Sequence, residues 1–285
     1  MPILLSLTRV LLPISYLVLW ASYLWDFCRN EPVPLRWRRG LSGATILIHL
    51  AAIINRTMVY HRIPMGTPLE FCSLLALSIL VIYIIIEERL KVRETGILIL
   101  GLAFLLEFIS SAFMYGQSPI NPLLRKPGFV GHVILVLLSY TALCIGFLYA
   151  VLYLVQARQL ASRNFGLLFR RLPPLEKLER MSMGAYKLGV PLLFGSLILG
   201  YLWMHSISGQ VDKETASTIS AMDPKIIGSW LVFICYSVCL IGYQFLGWRG
   251  RRMNIFTIAA FLIMVFVIAL IHHFFPSFHN FRFRG

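Results

Sequence analysis

Eight largely apolar runs follow one another along this chain, at approximately 3–25, 41–60, 68–86, 95–114, 129–156, 184–206, 225–246 and 254–275. A bilayer's hydrocarbon core is crossed by roughly 20 residues of helix, so each run is long enough to span it. In lipid every backbone N–H and C=O must pair within the protein, which restricts spanning segments to helices and closed barrels. Barrel strands alternate polar and apolar residues, and these runs do not. Only 13% of the residues are charged and 58% are hydrophobic, against about 25% charged in ordinary soluble domains. There are too few polar side chains to cover a water-soluble globule. The composition therefore predicts an all-α fold, a polytopic membrane helix bundle of eight transmembrane helices forming a single transmembrane domain over 1–285. Turn and breaker residues separate the runs: Pro32 and Pro34, Pro64 with Gly66, Pro119, Pro173-Pro174, and Gly247 with Gly250. The first run has neither a basic leader nor a small-residue cleavage site before it, so it reads as a retained span. The basic stretch 157–183 is long enough for a short interfacial helix and too short for a domain. No internal repeat of 20–50 residues is visible.

The net charge of +14 would suit a nucleic-acid partner if it were clustered, but Lys and Arg fall in the short loops between apolar runs. Lipid is the partner this pattern implies, and nucleic acid is not. Loops after the odd-numbered runs carry sixteen basic residues, among them Arg36, Arg93, Arg163, Arg180 and Arg251, and the opposite loops and tail carry six. Basic residues stay on the cytoplasmic side, which predicts that both termini lie outside, N-out and C-out, in the bacterial cytoplasmic (inner) membrane. The five cysteines form no C-x-x-C motif and read as small packing residues.

On that topology the histidines are skewed. His61, His132, His205, His272, His273 and His279 fall in outer loops or at outer ends of runs, and only His49 lies mid-membrane. Each one alone reads as an interfacial residue. Together on one face they suggest an outward site that uses imidazole, the commonest protein ligand for metals and a standard axial ligand for heme iron. Asp223-Pro224-Lys225 opens run 7, where Asp caps a helix and Pro fits its first turn. Either the cap is only structural or it fixes the end of a ligand-binding loop. Glu107 is mid-span in run 4, and Arg56 lies one to two turns outward from His49. Intramembrane ionisable groups are costly and face a partner or a cavity. A Glu107–His49 contact would satisfy both, as a static clamp or as a proton or ligand path.

Several of these segments resemble one family. Gly131-His132-Val133 through Leu138-Ser139-Tyr140-Thr141-Ala142-Leu143 is similar to the "HV–LSYAAL" stretch of the cytochrome c assembly membrane proteins, the CcsA, CcmC and HemX types. Gly189-Val190-Pro191-Leu192-Leu193 through Gly195, Gly200 and Trp203 resembles their "G–PLL–G–ILG–W" helix. Asp223-Pro224-Lys225 matches the DPK that closes their tryptophan-rich loop, and Phe275-Pro276-Ser277-Phe278-His279 resembles their terminal "LPGLH". The likeness is strongest from Gly131 onward, and the family-like core covers about 41–285. The family's loop carries several tryptophans before DPK, whereas Ser208–Met222 has no aromatic residue. In this the chain looks most like the smaller HemX-type branch.

The resemblance implies a heme-binding, heme-handling protein of cytochrome c maturation that is not a self-contained catalyst. Heme is its implied cofactor, with iron held by His132 and His279. His49, His272, His273, Glu107 and Asp223 are secondary heme or polar-site candidates. Arg125 and Lys126 would face the heme propionates or serve as interfacial anchors. Partners implied are lipid, heme, and either other maturation proteins or a heme-biosynthesis enzyme. The HemX likeness offers a second reading, a membrane regulator of tetrapyrrole synthesis acting on glutamyl-tRNA reductase levels. A third is a small-molecule transporter using Glu107 and His49, a class that favours inverted repeats. Porphyrins are held by aromatic and apolar contact, so the loop without tryptophan predicts weak, transient heme binding.

Overall fold

The structure, a computed structural model, describes residues 2–29, 34–114, 127–163, 165–208 and 223–274. These residues form nine helices and no strand: α1 (Pro2–Arg29), α2 (Leu35–Tyr60), α3 (Pro68–Leu90), α4 (Gly96–Phe113), α5 (Pro127–Ala161), α6 (Leu167–Arg171), α7 (Leu175–Ser208), α8 (Pro224–Phe245) and α9 (Gly250–Phe274). All but α6 are long and apolar enough to cross a membrane, one for each apolar run. Several outrun their apolar runs. The helix α5 has 35 residues, and α7 begins nine residues before its run, so Glu176, Lys177, Glu179 and Arg180 are helical. Apolarity marks where lipid ends, whereas the backbone ladder continues until a breaker stops it, here Pro173-Pro174.

The chain divides into two compact units, Met1–Gln117 with Arg158–Pro174, and Ser118–Ala157 with Leu175–Gly285. In unit 1, α1 packs on α2 and α4, and α3 packs on α2 and α4, which closes a ring of four helices. The inward stripe of α1 is Leu12, Tyr16, Leu19, Tyr23 and Phe27, while Leu7, Val10, Leu11, Ile14 and Val18 face outward. The stripe of α2 is inverted. It buries Arg38, Ser42, Thr45, His49, Ala52, Asn55 and Arg56 and exposes Leu47, Leu50, Ile54 and Met58. Polar groups so placed need partners inside the ring. At one end of the ring, Arg9 donates through Nε to the Ser111 carbonyl (2.6 Å) and through Nη2 to that of Ala112 (3.0 Å), where the helix dipole of α4 favours a cation.

In unit 2, α7 packs on α8, and α8 on α9. Small residues let α5 approach α7 closely, as in membrane bundles generally. The Ser139 hydroxyl donates to the Gly189 carbonyl (2.9 Å) and that of Ser182 to the Gly146 carbonyl (2.9 Å). A methyl group on Gly146 would meet the Tyr186 ring at 2.8 Å.

Candidate functional site

His132 sits in the second turn of α5. Its Nδ1 lies 2.8 Å from the Ser196 carbonyl of α7. A carbonyl only accepts, so Nδ1 carries the proton, and in the neutral ring the lone pair is on Nε2. The imidazole lies on Gly200, where a Cβ would approach within 2.8 Å of Nδ1 and Cε1. One helical turn away, Trp203 packs against Phe129 (ring centroids 5.3 Å apart) and over Gly128. Thus of two residues through which this helix resembles the family, Gly200 seats His132 and Trp203 packs α7 against the first turn of α5. The helices α5, α7, α8 and α9 run alternately up and down, so the same end of unit 2 also holds the start of α8 and the end of α9. Asp223 caps α8, its carboxylate accepting from the Lys225 N–H at 2.8 Å with Pro224 following. Asp223 is only 5% exposed. Asp223→Ala should cost about 0.5–2 kcal/mol, read as a lower melting point in detergent with membrane insertion intact; an unchanged melting point would show that the cap contributes nothing. His273 is exposed and meets Phe274 edge to face, with centroids 4.8 Å apart.

Unit 1 gathers its polar residues at mid-bundle. His49, fully buried, lies 2.9 Å through Nδ1 from the Tyr16 hydroxyl and 3.2 Å through Nε2 from the Ser73 Oγ. Ser73 donates to Glu107 Oε2 (2.6 Å), and Ser111 donates to Glu107 Oε1 (2.8 Å). Ser73 has a single proton and gives it to Glu107, so it accepts from His49 Nε2–H, and His49 Nδ1 accepts from Tyr16. Glu107 and His49 are therefore joined through Ser73 rather than in direct contact. Both ring nitrogens of His49 are committed, and its tautomer is the opposite of that of His132. At the end of the ring near Arg9, the Glu70 carboxylate accepts from Arg62 twice (2.7 and 2.8 Å) and from the backbone N–H groups of Gly66 and Thr67. The Thr67 hydroxyl caps α3 in return.

Among known proteins, the profile of the cytochrome C assembly protein family matches residues 65–276, which is most of the chain. The chain belongs to the cytochrome c assembly protein family. The inner membrane protein YpjD of Escherichia coli K12 is 31% identical over 80% of this chain and 83% of its own length. The protein HemX of Bacillus subtilis is 30% identical over 47% of this chain. The cytochrome c biogenesis protein CcsA of Microcystis aeruginosa is 24% identical over 92% of this chain and 93% of its own. The chain spans about half the length of the HemX relatives it matches. No solved structure matches it.

The family match includes His132, Gly200, Asp223 and Glu107 and begins beyond α1 and α2. His279, Arg125 and Lys126 lie outside the described residues, and His272 lies on α9. Sequence reasoning missed Tyr16, Ser73 and Ser111 as partners, and with them the Glu70 cap. Thr67-Pro68-Leu69-Glu70 carried a signal for that cap, the spacing of a capping box. Among the described residues, no group of three or more His, Cys, Asp or Glu side chains is arranged to hold a metal ion.

Proposed function

We propose that this member of the family binds and handles heme during the maturation of c-type cytochromes, with His132 as one axial ligand and His279 as the other. The observation that carries the reading is the tautomer of His132. The Ser196 carbonyl accepts a hydrogen bond from Nδ1–H, as second-shell carbonyls do for metal-ligating histidines, which keeps the proton on Nδ1 and the lone pair on Nε2. An imidazole is a suitable donor for heme: His132 and His279 would hold its iron, which would supply the redox and ligand-binding chemistry of the group. Gly200 and Ser196 fix the ring before any ligand arrives. Asp223 pins the end of the segment that precedes α8. Arg125 and Lys126 precede α5 in sequence, at a spacing suited to propionates or to interfacial anchoring. The names of the CcsA relatives, cytochrome c biogenesis proteins, point to the same process. Partners in this reading are lipid, heme and other maturation proteins. The location is the bacterial inner membrane, as for the YpjD relative.

Heme added to the purified protein, to His132→Ala, to His279→Ala and to the double variant provides the test. Low-spin six-coordinate spectra are expected only where both histidines are present, with weak affinity because Ser208–Met222 offers no aromatic surface. Identical spectra and affinities in all four proteins would remove the assignment.

The orientation we propose, both termini outside, is supported by the bias of sixteen basic residues to six. Alkaline phosphatase fused after Gly285 should be active and fused after Arg180 inactive. The reverse pattern would invert the topology.

A further inference from the structure

We propose that unit 2 carries a site for one anionic phospholipid at its end away from His132, with the phosphate between Lys187 and Arg249 and an acyl chain along the seam of α7 and α8. The turn from α8 to α9 holds a fixed shape there. Gly247 and Gly250 adopt φ of 64° and 63°, the left-handed region open to glycine, and the Trp248 N–H donates to the Gly242 carbonyl at 3.0 Å. Gly242 leaves room for the Trp248 ring, which stacks on Phe256 with centroids 4.9 Å apart. So folded, the turn lays Arg249 over the face of Tyr243, with Cζ 3.7 Å from the ring centroid, and Lys187 of α7 reaches the same ring with Nζ 5.2 Å away. Arg249 donates through Nη1 to the carbonyls of Tyr243 and Trp248, which leaves the other donors of its fork for a ligand.

Two cations from different elements thus share one ring, whose π face attracts them without neutralising them. Among the described residues neither forms an ion pair. The carboxylates at this end of unit 2 are Glu176 and Glu179, set against six cations, Lys177, Arg180, Lys187, Arg249, Arg251 and Arg252. Glu179 accepts from the Gly250 N–H at 2.8 Å, and Lys187 stands eight residues further along α7, about 12 Å at the helical rise. Lys187 is exposed inside the apolar run rather than in a loop, so the bias of basic loops does not account for it. A lysine there extends into the headgroup layer. A phosphodiester carries one charge on two free oxygens, which suits an ammonium together with a guanidinium fork. Basic pockets between transmembrane helices bind anionic headgroups in this way. Beyond Lys187, the exposed residues Pro191, Phe194 and Ile198 follow at spacings of four, three and four, a stripe on one face of α7 about 16 Å long. Phe194 meets Phe233 and Trp230 of α8, with centroids 5.2 and 6.3 Å away, so the stripe follows the seam. A cationic head continued by an apolar stripe fits an amphiphile, whereas free phosphate would use only the head. Phospholipid lines both faces of a membrane, so the assignment is independent of orientation and of the His132 reading.

The test titrates the full chain in neutral detergent with phosphatidylglycerol and, separately, with phosphatidylcholine of the same acyl chains, and counts retained lipid by native mass spectrometry. One phosphatidylglycerol should be retained, about tenfold or more tighter than phosphatidylcholine. Lys187→Gln with Arg249→Gln should remove most of that preference, with melting unchanged. Arg36→Gln with Arg163→Gln deletes the same charge at exposed positions of unit 1 and should leave the preference intact, as should Lys187→Arg. Equal retention of the two lipids, or equal losses in the two double variants, would overturn the proposal. So would inorganic phosphate or a poly-glutamate peptide binding more tightly than phosphatidylglycerol, which would give the surface to a soluble anion or to an acidic protein.

Discussion

Arg38→Ala should lower the stability of the protein by about 3–5 kcal/mol, the usual cost of removing one partner from a buried ion pair. Arg38 is 2% exposed and lies at the end of unit 1 opposite Arg9. Its Nη1 is 3.2 Å from Asp26 Oδ2 and 3.4 Å from Glu87 Oε1. Glu87 also accepts from the Tyr23 hydroxyl, and Arg171 donates to the Asp26 backbone carbonyl at 3.3 Å. Gly96 admits both tyrosine rings, since a Cβ there would collide with Tyr23 and lie 2.6 Å from the Tyr83 hydroxyl. Truncating Arg38 leaves two carboxylates facing each other in a low-dielectric core. The cluster is not well satisfied even when intact: Arg38 Nε and Nη2 are buried without an acceptor among the described residues. Neutralising the whole cluster, with Arg38→Met, Asp26→Asn and Glu87→Gln together, should therefore recover most of the loss. Thermal unfolding in detergent reads both effects, and a loss below about 1 kcal/mol in the single variant would show the pair to be energetically idle.

The eight spans were legible because a span has to be apolar along its length, and that signal does not depend on what packs where. The ends were less so. Nothing in the composition of 175–183 distinguishes a charged loop from a charged first turn of α7, since helix continuation depends on local breakers rather than on lipid. Of the buried charges, His49, Arg56 and Glu107 stood out as isolated anomalies within apolar runs. The longer pattern to which two of them belong was also present in the sequence: Arg38, Ser42, Thr45, His49, Ala52 and Arg56 recur at spacings of three and four, the period of one helix face. Reading hydrophobic periodicity alone conceals it, because in a membrane bundle the polar face is the one turned inward. Tyr16, Ser73 and Ser111 carry no such signal, since hydroxyls are common in spans and only the ring of four helices brings them to His49 and Glu107. The seat of His132 was half legible. The resemblance pointed to His132, Gly200 and Trp203, but only the packing of α5 on α7 shows that Gly200 makes room for the imidazole and Ser196 sets its tautomer.

The Tyr16–His49–Ser73–Glu107 chain should behave as one coupled unit when residues are removed. Each link is a donor matched to an acceptor, ending on a carboxylate that also receives Ser111. Removing one member leaves a buried group without its partner, at about 1–3 kcal/mol per orphan. His49→Leu disturbs Tyr16 and Ser73, and Glu107→Leu disturbs Ser73 and Ser111, so each single change should cost about 2–4 kcal/mol. Both changes strand the same hydroxyl of Ser73, so the double variant should lose less than their sum. The expected coupling is about 1 kcal/mol, within the range for residues sharing a network and near the values found for hydrogen bonds in membrane bundles. Ser73 supplies the decisive control. Because His49 and Glu107 communicate through its hydroxyl, the same double-mutant cycle in a Ser73→Ala background should show coupling reduced to about zero. Additive effects in the original cycle would reject the network. Coupling that persists without the Ser73 hydroxyl would mean that His49 and Glu107 interact through the field rather than through the chain of hydrogen bonds.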